Sequence, residues 1–141
     1  MDLAPVEKAL GYSYSSSELL LRALTHRSWA HENLGKEGSN TRESENETLE
    51  FVGDSVVGLI VAEELFRRNP DVNEGGLSLM KHSLVRTETL AAAAEKLNLG
   101  GFVRLSSGEE KIGGRNNPAI LADVFEAVVA SIFLDNGYAE G

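Results

Sequence analysis

Cysteine is absent from all 141 residues, which excludes disulfides and thiolate metal sites and is compatible with a reducing compartment. No apolar run approaches the roughly 20 residues that a membrane-crossing helix needs, and Met1-Asp2-Leu3-Ala4-Pro5 has neither the basic start nor the apolar stretch of a signal peptide. The expected location is therefore cytoplasmic, with no membrane partner. Histidine is limited to His26, His31 and His82, and none stands three residues after a candidate acid, as a carboxylate-bridged di-iron helix requires. There is no Gly-x-x-x-x-Gly-Lys-Ser/Thr phosphate loop. No Ser-His-Asp arrangement suggests itself, and cysteine nucleophiles are excluded. Nothing implies a small-molecule cofactor. Basic residues are also in deficit, 13 Lys and Arg against 22 Asp and Glu, for a net charge of −9. Taken alone, that balance argues against a nucleic-acid partner, because phosphate binding needs cations. The objection weakens if several acids hold divalent ions, which reverse the local field.

What is present is helix-forming sequence sufficient for one domain, 1–141, with a real core. Val6 to Leu10 reads as a short first turn. Ser15-Ser16-Ser17-Glu18 reads as a helix start ahead of Leu19, Leu20, Ala23 and Leu24. A short helix is expected around Trp29 to Asn33, and the Gly-containing polar stretch Gly35 to Glu45 reads as an exposed loop. The longest helix is predicted from about Glu45 to Arg68, stopped by Asn69-Pro70. Glu74-Gly75-Gly76 reads as a turn, Ser78 to Leu84 and Thr87 to Leu97 as helices, and Ser106 to Asn117 as a loop. Pro118 suits the first turn of a final helix. No strand alternation is visible, so the fold class is all-α.

Acids interrupt two apolar helices. Asp123 and Glu126, three apart, are the charged pair in Ala119-Ile120-Leu121-Ala122-Asp123-Val124-Phe125-Glu126-Ala127-Val128-Val129. Glu50 and Asp54, four apart, interrupt Leu49-Glu50-Phe51-Val52-Gly53-Asp54-Ser55-Val56-Val57, and Glu47 extends their face. Unpaired buried carboxylates are costly. Two readings are open: neutralisation by a buried cation such as Arg27, Lys81 or Arg86, or ligation of a divalent metal. Oxygen-only donors would select Mg²⁺, Mn²⁺ or Ca²⁺. Gly53 and Gly58 each cost a helix about 1 kcal/mol, which implies close approach of a backbone or ligand, or tight helix packing. Trp29 and Tyr12 read as core residues.

Asn46-Glu47-Thr48-Leu49-Glu50-Phe51-Val52-Gly53-Asp54-Ser55 closely resembles the signature decamer of bacterial ribonuclease III. Ala23-Leu24-Thr25-His26-Arg27-Ser28, Glu74-Gly75-Gly76-Leu77-Ser78, Lys111-Ile112-Gly113-Gly114-Arg115 and Ile120-Leu121-Ala122-Asp123-Val124-Phe125-Glu126-Ala127 resemble its other motifs in order, so the likeness covers nearly the whole chain. The resemblance implies the helical endonuclease domain of that family. It implies a Mg²⁺-dependent hydrolase of double-stranded RNA, with Mn²⁺ able to substitute, that processes rRNA and mRNA. Its products would carry 5′-phosphate and 3′-hydroxyl ends with two-nucleotide 3′ overhangs.

By motif matching, Glu50, Asp54, Asp123 and Glu126 would be the metal ligands, with Asp54 and Glu126 catalytic. Glu47 and Glu74 would line the RNA valley in a subsidiary role. Phe51 would plug into a partner subunit, implying a homodimer. Thr48 stands where the family usually has arginine. The family usually continues into a further helix and a basic double-stranded-RNA-binding domain; neither is in this sequence, so a truncated or naturally short form is expected. The alternative function is a catalytically inert RNA-binding or scaffold relative. Lys81, Arg86, Lys111 and Arg115 are candidate phosphate contacts, each also readable as a solvated surface charge.

Overall fold

A computed structural model describes residues 2–34 and 44–136. Most of the expected loop from Gly35 to Glu45 lies outside the described residues. The helices are α1 (Ala4–Leu10), α2 (Ser17–Ala23), α3 (Arg27–Leu34), α4 (Glu47–Arg68), α5 (Glu74–Leu84), α6 (Thr87–Lys96), α7 (Ser107–Lys111) and α8 (Pro118–Asn136). Single 3₁₀ turns at Leu99–Phe102 and Gly114–Asn116 link the later ones. Among the described residues there is no strand beyond an isolated bridge between Thr25 and Arg104. The fold is all-α, as the pattern implied.

Helix α8 is apolar around most of its circumference, the signature of a helix surrounded by others. It packs against α2, α4 and α6. Leu20, Leu24, Leu99, Val103, Leu121 and Val124 are at or near zero exposure in the core around it. Its start is fixed locally: Asn117 Oδ1 accepts the backbone N–H groups of Ala119 (2.9 Å) and Ile120 (3.4 Å). Its far end is tied down by Asp135, which accepts the Tyr12 hydroxyl at 2.6 Å and the backbone N–H groups of Ser15 and Ser16. Tyr12 is thus a fastening residue, stacked edge-on against Tyr14.

Two expectations are corrected. Glu74-Gly75-Gly76 is the first turn of α5, where Asn73 Oδ1 caps the Gly76 N–H at 2.9 Å. A good N-cap outweighed the low helix propensity of two glycines. The stretch from Ser106 to Asn117 contains α7 and a 3₁₀ turn, because Ser106 Oγ caps the Glu109 N–H at 3.1 Å. The small polar residues that read as loop there act as helix caps.

Candidate metal centre

The start of α4 is held by neighbours on every side. Glu45 Oε2 accepts the Glu47 N–H at 3.0 Å, so a buried acid serves as the cap. Buried Asn46 donates its backbone N–H to Thr25 O (2.9 Å) and its side-chain amide to Ala23 O (3.2 Å). Arg22 of α2 donates from Nη2 to Thr48 Oγ1 at 2.5 Å and from Nε to Glu45 O at 3.2 Å. Thr48 therefore receives a guanidinium from another helix at the position where the resemblance implied an arginine.

Arg104 fastens the adjoining corner. Its Nε and Nη2 donate to Thr25 Oγ1 at 3.0 and 2.8 Å, and its guanidinium lies 3.7 Å from the Trp29 ring centroid. Trp29 is thus engaged within the chain. The same corner presents His26, whose Nδ1 accepts the Ser28 N–H at 3.1 Å, leaving Nε2 to carry the proton of the neutral ring. Burial holds His26 below the usual imidazole range, against the pull of Glu109 and Asp123.

From these anchored elements the acids of α4 and α8 meet in two cross-helix pairs. Glu50 hydrogen-bonds Asp123, and Glu126 hydrogen-bonds Asp54. Residue numbers rise together along both helices, so the i,i+4 pair of α4 faces the i,i+3 pair of α8. Oxygens of Glu50, Asp123 and Glu126 all lie within 4.8 Å of one another. Asp54 is exposed and outside that group of three, joined to it through Glu126.

Glu126 is only 8% exposed. Its carboxyl is pushed up to about 8, first by burial and then by the hydrogen bond and charge of Asp54 and the charges of Glu50 and Asp123. Burial and then Asp123 push Glu50 up to about 7, and burial raises Asp123. Glu50, Asp123 and Glu126 are thus all held above the usual carboxylate range by burial and by one another, which disfavours their charged forms in the absence of a cation. The first open reading, neutralisation by a basic side chain, fails on geometry. Among the described residues no lysine or arginine pairs with any of the four acids.

A cavity of about 330 Å³ adjoins the pairs, lined by His26, Arg27, Glu45, Glu47, Glu50 and Asp123. Glu47 lies on its rim, 3.9 Å from Arg27. Glu74, at the start of α5, is exposed, accepts the Ser78 hydroxyl at 2.9 Å and is outside the converging group. Phe51 is 77% exposed on α4. Sequence reasoning missed Glu45 and His26 as walls of this cavity. His26 lay within a quoted motif, whereas nothing local marked Glu45 as buried.

The donor set suits a hard cation. It is all carboxylate oxygen, and separations within 4.8 Å are spanned by one ion with ligands at about 2.0–2.6 Å.

The fold and site define an all-helical domain built around acids shared between two helices, and comparison with known proteins places that class. The family described as Ribonuclease-III-like matches residues 16–141. The chain belongs to the ribonuclease III family. It is 44% identical over 135 residues to ribonuclease 3 of Caldanaerobacter subterraneus subsp. tengcongensis, covering 96% of this chain and 57% of that protein. It is 47% identical over 132 residues to ribonuclease 3 of Streptomyces coelicolor, covering 94% and 45%. The chain thus spans about half the length of the curated relatives it matches. The solved nuclease domain of ribonuclease III from Campylobacter jejuni superposes with a TM-score of 0.86 at 37% identity, over 98% of this chain and 89% of that one. That structure was described for flexibility in its region involved in dimer formation.

Proposed function

We propose that this chain is the catalytic domain of a divalent-metal-dependent endoribonuclease that hydrolyses double-stranded RNA. The observation that carries the reading is the meeting of four acids across α4 and α8, with no basic side chain among the described residues paired to any of them. Arranging four carboxylates this way is costly without a ligand. Glu50, Asp54, Asp123 and Glu126 would hold the ion, a hard divalent cation by donor chemistry and Mg²⁺ by the family resemblance, with Mn²⁺ able to replace it. When bound, such ions activate water and stabilise the departing 3′-oxygen.

The residues supply the rest. Glu126, buried and central, would bind the ion as its carboxylate. Asp54, exposed at the rim, adjoins incoming substrate. Glu47 and Glu74 border the valley. Recognition would rest on A-form shape and 2′-hydroxyls, with little base reading. Products would carry 5′-phosphates, 3′-hydroxyls and two-nucleotide 3′ overhangs, the chemistry of rRNA and mRNA processing in the cytoplasm.

We also propose a homodimer. Phe51 projects from α4, and an apolar cavity of about 330 Å³ is lined by Val57, Val61, Leu90, Ala93, Phe125 and Val129. A second copy related by a twofold axis would seat each exposed Phe51 in the other's cavity.

The test is cleavage of a long RNA duplex with Mg²⁺ by the wild type and by Glu126→Gln. The variant is expected to fold, bind RNA and lose at least about 99% of the rate, the scale of losing a main electrostatic group. Equal rates would overturn the ligand assignment. Binding without cutting by the wild type would favour the inert scaffold instead.

A further inference from the structure

Gly58 has a different neighbour from Gly53. A β-carbon there would lie 3.5 Å from both Cε and Nζ of Lys81. Lys81 of α5 therefore lays its side chain across α4 at a position that has none of its own. Gly58 follows Asp54 by four residues, which places it on the same face about 6 Å along the axis. The ammonium is thus held on α4 beside the end of the acidic row. Lys81 is half-buried, yet among the described residues its ammonium has no ion-pair or hydrogen-bond partner. Of the other candidate phosphate contacts, Lys111 is exposed and the arginines are engaged. Arg27 faces Glu47, Arg86 faces Glu88 at 3.7 Å, and Arg115 donates to the Gly100 and Val103 carbonyls and to Glu110.

We propose that Lys81 positions the RNA strand, its ammonium contacting a backbone phosphate beside the one to be cleaved; this rests on the endoribonuclease reading above. A chain of net charge −9 with an acidic row at its centre repels a polyanion. A cation fixed at the end of that row gives the strand a point of attachment and a register along α4. The contact needs a point charge on a supported stem, which lysine provides by lying against α4 at Gly58.

The test compares Lys81→Met, which keeps the stem and removes the charge, with Lys81→Arg. Binding of a short RNA duplex is measured at several salt concentrations in the Glu126→Gln background, and cleavage with Mg²⁺ in the wild-type background. Lys81→Met is expected to bind about tenfold more weakly, and its slope of log affinity against log salt is expected to shrink by about one, with an unchanged melting temperature. Lys81→Arg is expected to restore most of the affinity and the slope. A wild type that cuts duplex, beside a Lys81→Met variant with unchanged affinity and slope, overturns the inference alone. Weaker binding at an unchanged slope with a lowered melting temperature also overturns it, because that is a packing effect. A wild type that neither binds nor cuts duplex overturns the inference and the reading beneath it together.

Discussion

Gly53 and Glu126 touch backbone to side-chain position: a β-carbon on Gly53 would lie 1.8 Å from the carbonyl oxygen of Glu126. This contact sets the distance between α4 and α8, and with it the distance between the acids on either side. The glycine left open by sequence, between ligand approach and packing, is a packing glycine.

Gly53→Ala is therefore expected to force the helices apart. Overpacking of this kind typically costs about 1–3 kcal/mol, with backbone at the upper end. Thermal melts followed by circular dichroism should show the loss. Stabilisation by Mg²⁺ should be lost with it, because the acids no longer converge. A variant with wild-type melting and Mg²⁺ response would show that the helices can separate without cost to the site.

The raised carboxyls make stability and metal binding depend on pH in opposite senses. Glu126 is raised from 4.5 to about 8 in the folded chain. A carboxyl raised on folding contributes stability that is fully present below its unfolded pKa and is lost as pH rises through the folded value. Metal-free protein is thus expected to lose melting temperature between about pH 5 and pH 8. Glu126→Gln should flatten that decline. Mg²⁺ affinity should rise over the same range, with protons released on binding at pH 7. Calorimetry in buffers of different ionisation enthalpy measures that release directly.

Phe51→Asp is expected to convert a dimer to a monomer while leaving helix content unchanged, because the ring contributes little to its own chain's core. Sedimentation velocity reads the outcome. A variant that stays dimeric would locate the interface elsewhere.

Arg104→Met removes two hydrogen bonds to Thr25 and the stack on Trp29. A loss of about 2 kcal/mol is expected from the usual worth of charged hydrogen bonds and cation–π contacts. Urea denaturation measures it. Arg104→Lys should recover only part, because the fork geometry is lost.

Much of the fold was legible because its cause is local. Apolar periodicity marks α4 and α8, Pro118 marks a start, and Asn69-Pro70 marks a stop. The missed starts at Glu74 and Ser107 share a reason: Asn and Ser read as loop until their side chains are seen accepting an N–H. The acids were conspicuous because each interrupts an apolar run. Lys81 was one of several exchangeable basic residues until its place over Gly58 set it apart.

By itself, the order of residues determined an all-helical chain, the i,i+4 and i,i+3 spacing of its acids and its membership of a family, since spacing along a helix follows from the helix repeat alone. Only the tertiary structure decided that Glu50 meets Asp123 and that Asp54 meets Glu126. It likewise decided that Arg22 serves Thr48 and that Lys81 lies over Gly58. Those partners are far apart in the chain, and their meeting depends on how closely two helices pack, a distance set by a glycine and a carbonyl oxygen 73 positions apart in sequence, 126 less 53.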